Sequence, residues 1–353
     1  MYSFNMGVNP LEQWMIDQIT KKMNEIDELN IINNTQLTFN DVKKYQFYQF
    51  KLLLNYVYNN STFYKRLFDK YNIKIENIQS ESDIEKIPFT VPKNIAENPY
   101  HFLCQSRKNI AREFSSSGTS GIRKKICYSE EELIHISSSI GAAMKLAGMN
   151  NKKDTLQIMY PTITGTWDPG LVVSKGCDII GCNSIINGSR DFENQLISLK
   201  ENNVNYFIAQ ASFLYNLSIS KEKEIKSGDF NINTIISSSE PLVPEKRKKI
   251  EEIWGCDVIR QYGTTELGLA NAIECKKKNG YHTNCADLLY EVIDPITKKR
   301  VPDGTFGELV VTTLNRTCMP LIRYRTGDIT SITSNYCTCG AKVDQRISDL
   351  RRL

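Results

Sequence analysis

The sequence predicts an α/β fold in which helices cover mixed sheets, with a small antiparallel or barrel-like subdomain toward the C-terminus. Three patterns support this prediction. Apolar residues recur at helical spacing through about the first hundred positions. From Lys153, short apolar runs alternate with amphipathic stretches, as in parallel strands joined by helices. From Leu289, strand-like runs are separated by tight turns, which predicts hairpins.

The N-terminal part is predicted to be helical. In residues 10–26 apolar side chains recur at steps of three and four, which is typical of one buried helix face. Thr38 precedes a second periodic stretch and is followed three residues later by Asp41, which predicts a helix start. This helix should end near residues 59–61, and a short helix should span residues 80–86.

The middle and C-terminal parts are predicted to hold the sheets. Strands are expected at residues 155–160, 177–180, 206–209, 234–237 and 257–260, and helices at 171–175, 191–200 and 244–254. Two hairpin strands are expected at residues 289–293 and 307–312, with a turn at Asp303-Gly304.

Composition limits the partners. The 353 residues are 41% apolar, enough for a large core, and the net charge of +4 argues against nucleic acid or an anionic membrane as partner. No apolar run approaches the ~18 residues of a membrane span, and no signal-peptide pattern opens the chain. We therefore expect a cytoplasmic protein, in which the ten cysteines are core residues or metal ligands rather than disulfides.

One stretch, Ser115–Lys125, combines serines and glycines with three cations at its end. Glycines let backbone approach a ligand closely, and N–H groups, hydroxyls and cations together can hold a phosphate. The spacing differs from that of the G-x-x-x-x-G-K-[ST] loop. An ordinary polar hairpin has a similar composition, so both interpretations stay open at this point.

Two later motifs can likewise be interpreted either as ligand-binding loops or as ordinary turns. Gln261–Gly268 follows a predicted strand and offers hydroxyls and a carboxylate, where open α/β sheets bind ligands. Arg323–Asp328 places a carboxylate after a Thr-Gly turn, where it can accept hydrogen bonds from a ribose diol. For each motif alone, a turn with a buried salt bridge is the alternative.

In this order the motifs resemble the adenylate-forming (acyl-CoA synthetase) superfamily, most closely its phenylacetate–CoA ligase-like branch. Ser115–Lys125 resembles the phosphate loop of that family. Ser238–Pro241 stands where the branch has Gly-Ala-Glu-Pro, Tyr262–Glu266 matches Tyr-Gly-x-Thr/Ser-Glu, and Arg323–Asp328 matches Arg-Tyr-Arg-Thr-Gly-Asp. The resemblance extends from about residue 40 to the last residue.

The resemblance implies an ATP-dependent acid–thiol ligase. A carboxylic acid would react with ATP to give acyl-AMP and pyrophosphate, and the thiol of CoA would then take the acyl group. Mg²⁺ would accompany the nucleotide. The alternative is a stand-alone or truncated adenylation module that binds nucleotide and delivers acyl groups to a carrier protein, or that needs a partner for activity. A homodimer is a further open alternative.

The resemblance also implies roles for individual residues. Thr265, Glu266 and Lys124 would be catalytic, with Thr265 on the α-phosphate, Glu266 on Mg²⁺ and Lys124 on the β- and γ-phosphates. The remaining nucleotide-binding residues would come from the phosphate loop, from the adenine and ribose contacts and from the wall of the acyl site. They are Ser116, Ser117, Gly118, Thr119, Gly121, Ser239, Glu240, Pro241, Tyr262, Gly263, Thr264, Asp328 and Arg346.

The sequence departs from the family pattern in three places. Arg123 stands where the phosphate loop usually has Pro, and Ser238-Ser239 replaces Gly-Ala. The chain ends just after residues 345–349, which resemble the hinge to a small C-terminal domain of about a hundred residues that supplies a catalytic lysine. We expect this domain to be absent from the 353 residues. The expected division is 1–100 (helical), 101–270 (nucleotide- and acyl-binding core), 271–345 (antiparallel subdomain) and 346–353 (start of the hinge).

The acyl pocket is expected along residues 160–170, 209–213 and 237–239. Tyr160, Trp167 and Phe213 would make it aromatic and favour an aryl or arylacetic acid, unless these rings are core residues instead. Thr162 and Thr164 equally allow a more polar acid.

A structural zinc site is predicted from Cys275, His282, Cys337 and Cys339. Three thiolates and one imidazole make a closed tetrahedral ligand set without an open catalytic position. Each pair lies in a turn-rich stretch, and Cys285 is the rival ligand. Ordinary reduced cysteines are the alternative. Some members of the branch carry a similar set at these places, which favours zinc.

Overall fold

The computed structural model describes residues 9–25, 37–116, 123–161 and 168–353. It is a mixed α/β structure, as the sequence predicts. The α-helices of the described residues are α1 Pro10–Asn24, α2 Phe39–Asn60, α3 Thr62–Lys70, α4 Pro92–Glu97, α5 Glu130–Leu146, α6 Pro169–Ile180, α7 Phe192–Glu201, α8 Ala211–Ser220, α9 Glu222–Ser227 and α10 Pro244–Trp254.

Besides a few short 3₁₀ helices, the rest of the regular structure consists of short strands. They are β1 Arg112–Ser116, β2 Lys124–Tyr128, β3 Thr155–Ile158, β4 Asn183–Ile186, β5 Tyr206–Gln210, β6 Thr234–Ser238, β7 Asp257–Tyr262, β8 Ala272–Glu274, β9 Tyr281–Thr283, β10 Leu288–Ile293, β11 Gly307–Thr313, β12 Tyr324–Thr330, β13 Ile332–Thr333, β14 Arg346–Ile347 and β15 Arg351–Arg352.

The described chain forms two compact units. The first, which we call the parallel-sheet unit, comprises residues 9–11, 133–161, 168–264 and 268–282. The second, which we call the antiparallel unit, comprises residues 12–25, 37–116, 123–132, 265–267 and 283–353.

The parallel-sheet unit is built on strands in the order β8-β7-β6-β5-β3-β4. Neighbouring strands from β7 to β4 are parallel, and β8 is antiparallel to β7. Helices connect the parallel strands, as such pairs require. The residues of β5 are almost all buried, which explains why its sequence begins with a continuous apolar run rather than an alternating one.

The core of this unit lies between the sheet and helices α7, α8 and α10. The Phe207 and Trp254 rings lie 4.9 Å apart, and the Trp254 indole N–H donates to the Ser218 hydroxyl at 2.8 Å. The predicted helix at 244–254 is confirmed as α10. The predicted helix at 191–200 is confirmed as α7, with Asp191 as its N-cap.

The predicted strand at residues 177–180 is wrong, because these residues form the last turn of α6. The Asp168 side chain caps this helix by accepting from the Leu171 N–H at 2.8 Å, Pro169 occupies its first turn, and Gly181 ends it with a φ of +76°. A four-residue apolar run fits a strand and a buried helix turn equally well. The true strand, β4, begins three residues later at Asn183.

The antiparallel unit contains a sheet of order β10-β11-β12-β15 and the strand pairs β1–β2 and β13–β14. The hairpin predicted at residues 289–293 and 307–312 is confirmed as β10 and β11. Gly304, in the turn between them, has a φ of +83°, which glycine adopts readily.

The N-terminal helices begin where their capping residues predict. Thr38 and Asp41 form a reciprocal capping box at the start of α2, which confirms the predicted helix start. Helix α1 is confirmed within 10–26, and its apolar side chains pack in a cluster with Val42, Tyr45 and Val343. The predicted short helix at 80–86 is a 3₁₀ helix, Glu81–Lys86.

Strand β12 is anchored by a buried cation just before its first residue. Arg323 is 1% exposed and pairs with Glu291 through two nitrogens, at 3.1 and 3.0 Å. Its third guanidinium nitrogen donates to the carbonyl oxygens of Glu85 and Ile87. A buried charge is tolerated only when it is paired and hydrogen-bonded in this way, so the start of β12 is rigidly held.

Within the described ranges, no helix combines the length and apolarity that crossing a membrane requires. All ten cysteines lie in these ranges and none forms a disulfide.

Candidate active site

The expected phosphate loop lies between two paired strands. Strands β1 and β2 are antiparallel, with Ser116 opposite Lys124. The loop residues 117–122, which include Ser117, Gly118, Thr119 and Gly121, lie outside the described residues. Ser116 is the last described residue before them, and its buried hydroxyl has no hydrogen-bond partner among the residues that the structure describes.

At the other end of the loop, Lys124 forms a buried ion pair with Glu266. The distance from Lys124 Nζ to Glu266 Oε1 is 2.5 Å, and the two side chains are 5% and 6% exposed. The Tyr324 hydroxyl lies 3.3 Å from Lys124 Nζ and 3.4 Å from Glu266 Oε1. Two of the residues predicted to be catalytic are therefore in contact, and a tyrosine touches both.

The backbone next to Glu266 is also fixed. Thr265, Glu266 and Leu267 form a short 3₁₀ helix. The Tyr128 hydroxyl donates to the Thr265 carbonyl oxygen, and Arg316 Nη1 donates to the Glu266 carbonyl oxygen at 3.1 Å. The Arg316 guanidinium stacks over the Tyr128 ring at 4.4 Å. These contacts fix the direction in which the Glu266 side chain points.

Sequence reasoning missed three of these residues. Tyr324 lies inside the Arg323–Asp328 motif, so a signal existed, but no role was predicted for it. Tyr128 and Arg316 belong to no motif. They are 137 and 50 positions away from their hydrogen-bond partners, so only the fold brings them there.

Asp328 lies on β12 and is paired with Arg352 of β15. The distance from Asp328 Oδ1 to Arg352 Nη1 is 2.6 Å, and the arginine side chain is half exposed. The Asp328 N–H donates to the Thr326 hydroxyl, and Gly327 has a φ of +73°. Arg346, on β14, is buried and donates from Nη2 to the Asn335 carbonyl oxygen at 2.8 Å.

In the parallel-sheet unit, Ser238 and Gln261 lie near the carboxyl ends of adjacent parallel strands, β6 and β7. The Ser238 hydroxyl donates to Gln261 Oε1 at 2.6 Å. Ser239 follows with a φ of +67°, a left-handed conformation that few non-glycine residues adopt. The Glu240 carboxylate accepts from the Ser212 N–H at 2.9 Å. Strand ends of this kind are where open α/β sheets bind ligands.

The chain after β7 folds back tightly on itself. A Cβ atom on Gly263 would lie 1.6 Å from the Leu269 carbonyl oxygen, so only glycine fits there. The Thr264 N–H donates to Asn271 Oδ1 at 2.9 Å, which fixes the loop. Within the described parts of the chain, the buried hydroxyls of Thr264 and of Ser237 on β6 have no hydrogen-bond partner.

Only part of the expected acyl pocket lies in the described residues. Trp167, Thr162 and Thr164 lie outside them. Burial raises the pKa of the Tyr160 phenol, and hydrogen bonding with Ser238 and Ser239 offsets part of this rise. Phe213 is buried in the core cluster, 5.3 Å from the Phe192 ring. For Phe213, this packing favours the interpretation as a core residue.

The predicted zinc ligands lie together. The ligand atoms of Cys275, His282, Cys337 and Cys339 are all within 4.8 Å of one another, and three of these residues are buried. The rival ligand, Cys285, is not a member of this group. Its sulfur contacts the Thr283 hydroxyl at 3.2 Å and the Gln345 N–H at 3.4 Å, and burial raises the pKa of its thiol to about 12.

Comparison with known proteins gives relatives of one kind. The chain is 27% identical to a phenylacetate-coenzyme A ligase of Pseudomonas putida over 295 residues, which are 82% of this chain and 66% of that protein. It is 26% identical to the phenylacetate-coenzyme A ligase of Escherichia coli over 314 residues, 86% of this chain and 71% of that one. The chain thus spans about two thirds of the length of these curated relatives. No family model matches.

Solved structures support the fold. A 2-hydroxyisobutyryl-CoA ligase in complex with 2-HIB-AMP and CoA superposes with a TM-score of 0.79 at 20% identity, covering 88% of this chain and 69% of that one. ATP-bound MatB from Rhodopseudomonas palustris gives a TM-score of 0.53 at 19% identity, covering 69% and 49%. The chain is therefore a homologue of the phenylacetate-coenzyme A ligases and has the fold of an acyl-CoA ligase.

Proposed function

We propose that this chain activates a carboxylic acid with ATP and transfers the acyl group to the thiol of CoA. A carboxylate oxygen bonds to the α-phosphorus while pyrophosphate leaves. The thiol sulfur then bonds to the acyl carbon while AMP leaves. The observation that carries the proposal is the buried Lys124–Glu266 pair with Tyr324, in a homologue of phenylacetate-coenzyme A ligases.

The roles proposed for the residues follow from their charges. Catalysis of adenylyl transfer depends mainly on positioning and charge stabilisation, so cations and fixed donors matter most. Lys124 neutralises phosphate charge, Thr265 contacts the α-phosphate, and Asp328 accepts hydrogen bonds from the ribose hydroxyls. Glu266 would hold Mg²⁺, because a carboxylate is the ligand that this ion prefers. When bound, Mg²⁺ would offset the negative charge of the phosphates.

The acid we propose is an aryl or arylacetic acid, because the relatives at 26–27% identity are phenylacetate-coenzyme A ligases. CoA is the proposed acceptor and a carrier-protein thiol is the alternative. Comparing thioester formation with CoA and with a phosphopantetheinylated carrier protein separates the two. We further propose that the protein is cytoplasmic and forms a homodimer. Cell fractionation tests the compartment, and light scattering tests the assembly.

The test of nucleotide binding is calorimetry with ATP, with and without Mg²⁺. Glu266→Gln should weaken the Mg²⁺-dependent binding of ATP, and Asp328→Asn should weaken the binding of adenosine itself. Glu113→Gln is the matched control, because Glu113 lies on β1, which pairs with the strand of Lys124, and forms a more exposed ion pair with Lys125 at 2.9 Å. Acid-dependent exchange of pyrophosphate into ATP, with phenylacetate as first probe, tests the chemistry. Wild-type protein that binds neither ATP nor AMP would contradict the proposal.

We also propose that Cys275, His282, Cys337 and Cys339 hold a structural zinc ion. The donor set fits: thiolates bind zinc at about 2.3 Å, which places tetrahedral ligands about 3.8 Å apart. Separations within 4.8 Å are compatible with that arrangement. The four positions are filled by protein ligands, so the ion would stabilise the fold rather than take part in the reaction.

Metal analysis of the purified protein tests the zinc proposal. About one zinc per chain is expected, and Cys337→Ser with Cys339→Ser should remove it and lower the melting temperature. Cys256→Ser is the control, because Cys256 lies outside the four-residue group. The zinc proposal is contradicted if the native protein contains no metal, these thiols are fully alkylated and the stability is unchanged.

A further inference from the structure

The contact between Lys124 and Glu266 creates a difficulty for nucleotide binding. Both residues are assigned to the Mg·ATP complex, yet in this structure each is the partner of the other, at 2.5 Å. In the proposed function the Glu266 carboxylate would hold Mg²⁺, and Lys124 Nζ already contacts one of its two oxygens, Oε1. Two cations beside one buried carboxylate repel each other, so metal binding would weaken or displace the lysine contact.

Tyr324 is placed to make this exchange less costly. Its hydroxyl lies within hydrogen-bonding distance of both groups, 3.3 Å from Lys124 Nζ and 3.4 Å from Glu266 Oε1. A phenol both donates and accepts, so it can donate to the carboxylate and accept from the ammonium group at the same time.

The tyrosine is also held still. Tyr324 is 2% exposed and pairs with Val311 at the start of β12. The preceding residue, Arg323, is fixed by Glu291 and two carbonyl oxygens. The hydroxyl therefore keeps its place while the lysine and the carboxylate change partners.

We infer that Tyr324 is a positioning residue for the exchange of cations at Glu266. With the Glu266 carboxylate bound to Mg²⁺, the Tyr324 oxygen would remain an acceptor for Lys124, and its proton would continue to orient Glu266. This would keep the ammonium group near its present position and reduce the cost of separating the ion pair. The inference rests on the proposed function, since it assumes that Glu266 binds the metal.

The experiment is a titration of Mg²⁺ at fixed ATP, followed by calorimetry, with wild type and Tyr324→Phe. The variant should need about tenfold more Mg²⁺ for half-maximal ATP binding, which corresponds to about 1.4 kcal/mol. ATP binding without Mg²⁺ should change little. Tyr45→Phe is the matched control: it also removes a buried hydroxyl with two partners in this unit, and it should leave the Mg²⁺ midpoint unchanged.

Lys124→Gln gives a second, independent measurement. Removing the competing charge should lower the Mg²⁺ midpoint, and Tyr324→Phe should then have little further effect on it. A normal midpoint in Tyr324→Phe, or an equal tenfold shift in the Lys124→Gln background, would overturn the inference. If Tyr324→Phe does not fold, an unchanged midpoint in Lys124→Gln alone overturns it. Wild-type protein that does not bind ATP at all contradicts the proposed function instead, so the two failures are distinguishable.

Discussion

The two units present their candidate ligand-binding groups in different ways. In the antiparallel unit these groups are charged and already paired, as Lys124 is with Glu266 and Asp328 with Arg352. In the parallel-sheet unit two neutral groups beside the candidate site, the hydroxyls of Ser237 and Thr264, are buried and have no hydrogen-bond partner among the described residues. A ligand that bonds to such a hydroxyl breaks no protein contact, whereas a ligand of the paired carboxylates displaces a cation.

This difference follows from the energies involved. An unpaired buried charge costs several kcal/mol, about 3–5 when one partner of a buried pair is removed. An unsatisfied neutral hydroxyl costs about 1–3 kcal/mol. A site without its ligand can therefore leave hydroxyls unpartnered, but it must supply internal counter-ions for its carboxylates. The predictions below test this comparison.

The largest effect is expected for Lys124→Met. It leaves the buried Glu266 carboxylate without its cation, so the free energy of unfolding should fall by about 3–5 kcal/mol in urea denaturation. Combining it with Glu266→Gln should recover most of the loss, because both charges are then gone. Lys125→Met, next in the chain and exposed, should have little effect. Near-wild-type stability of Lys124→Met would mean that the pair is solvated.

A smaller, pH-dependent effect is expected at Glu12, a buried carboxylate held by two backbone N–H groups. Its oxygen accepts from Lys342 at 2.6 Å and from Val343 at 2.7 Å. Burial, with a smaller contribution from Asp344, raises its pKa above the ordinary 4.5. The pKa of Glu12 is higher in the native state than in the unfolded state. Its contribution to stability is therefore fully present below pH 4.5 and is lost as the pH rises through the native pKa.

Glu12→Gln removes this titration but keeps an oxygen that accepts both hydrogen bonds. Denaturation measured across pH should therefore show a smaller fall in stability above pH 4.5 in the variant than in wild type. Asp17→Asn, on the same helix, is the control. Identical pH profiles for wild type and Glu12→Gln would show that burial does not perturb this carboxyl in solution.

Adjacent serines on β6 provide a direct comparison of partnered and unpartnered hydroxyls. Ser238→Ala removes the 2.6 Å hydrogen bond to Gln261 and should cost about 1 kcal/mol of unfolding free energy. Ser237→Ala removes a buried hydroxyl without a partner, so stability should stay the same or rise. Both are measured by urea denaturation without ligand, and equal losses would contradict the assignment of partners.

The sequence predicted elements best where local chemistry decides them. The helix start at Thr38–Asp41 and the helix at 191–200 were predicted correctly, because both ends of each capping interaction at their first turns lie within a few residues. The run at 177–180 failed because its helical identity depends on Asp168 and Pro169, nine and eight residues earlier.

The candidate site shows the same limit. Motifs identified Lys124, Glu266 and Asp328, because each lies in a stretch with a recognisable order of residue types. Their partners did not follow from the motifs. Contacts between Lys124 and Tyr324, 200 positions apart, arise only when β2 and β12 are folded into one unit. Which cation faces which carboxylate is a property of the fold rather than of a motif.

The smallest effect is expected for Arg352→Ala, which removes the cation from Asp328. The arginine is half exposed, and exposed pairs contribute little, so stability should change by less than about 1 kcal/mol. Without the competing arginine, the Asp328 carboxylate is more accessible to the ribose hydroxyls, so adenosine should bind a few-fold more tightly in calorimetry. Because salt screens such pairs, the gain should shrink at about 1 M salt. Arg351→Ala, on the same strand, is the control and should bind adenosine as wild type does. Weaker binding by Arg352→Ala would mean that this arginine contacts the nucleotide itself rather than competing with it.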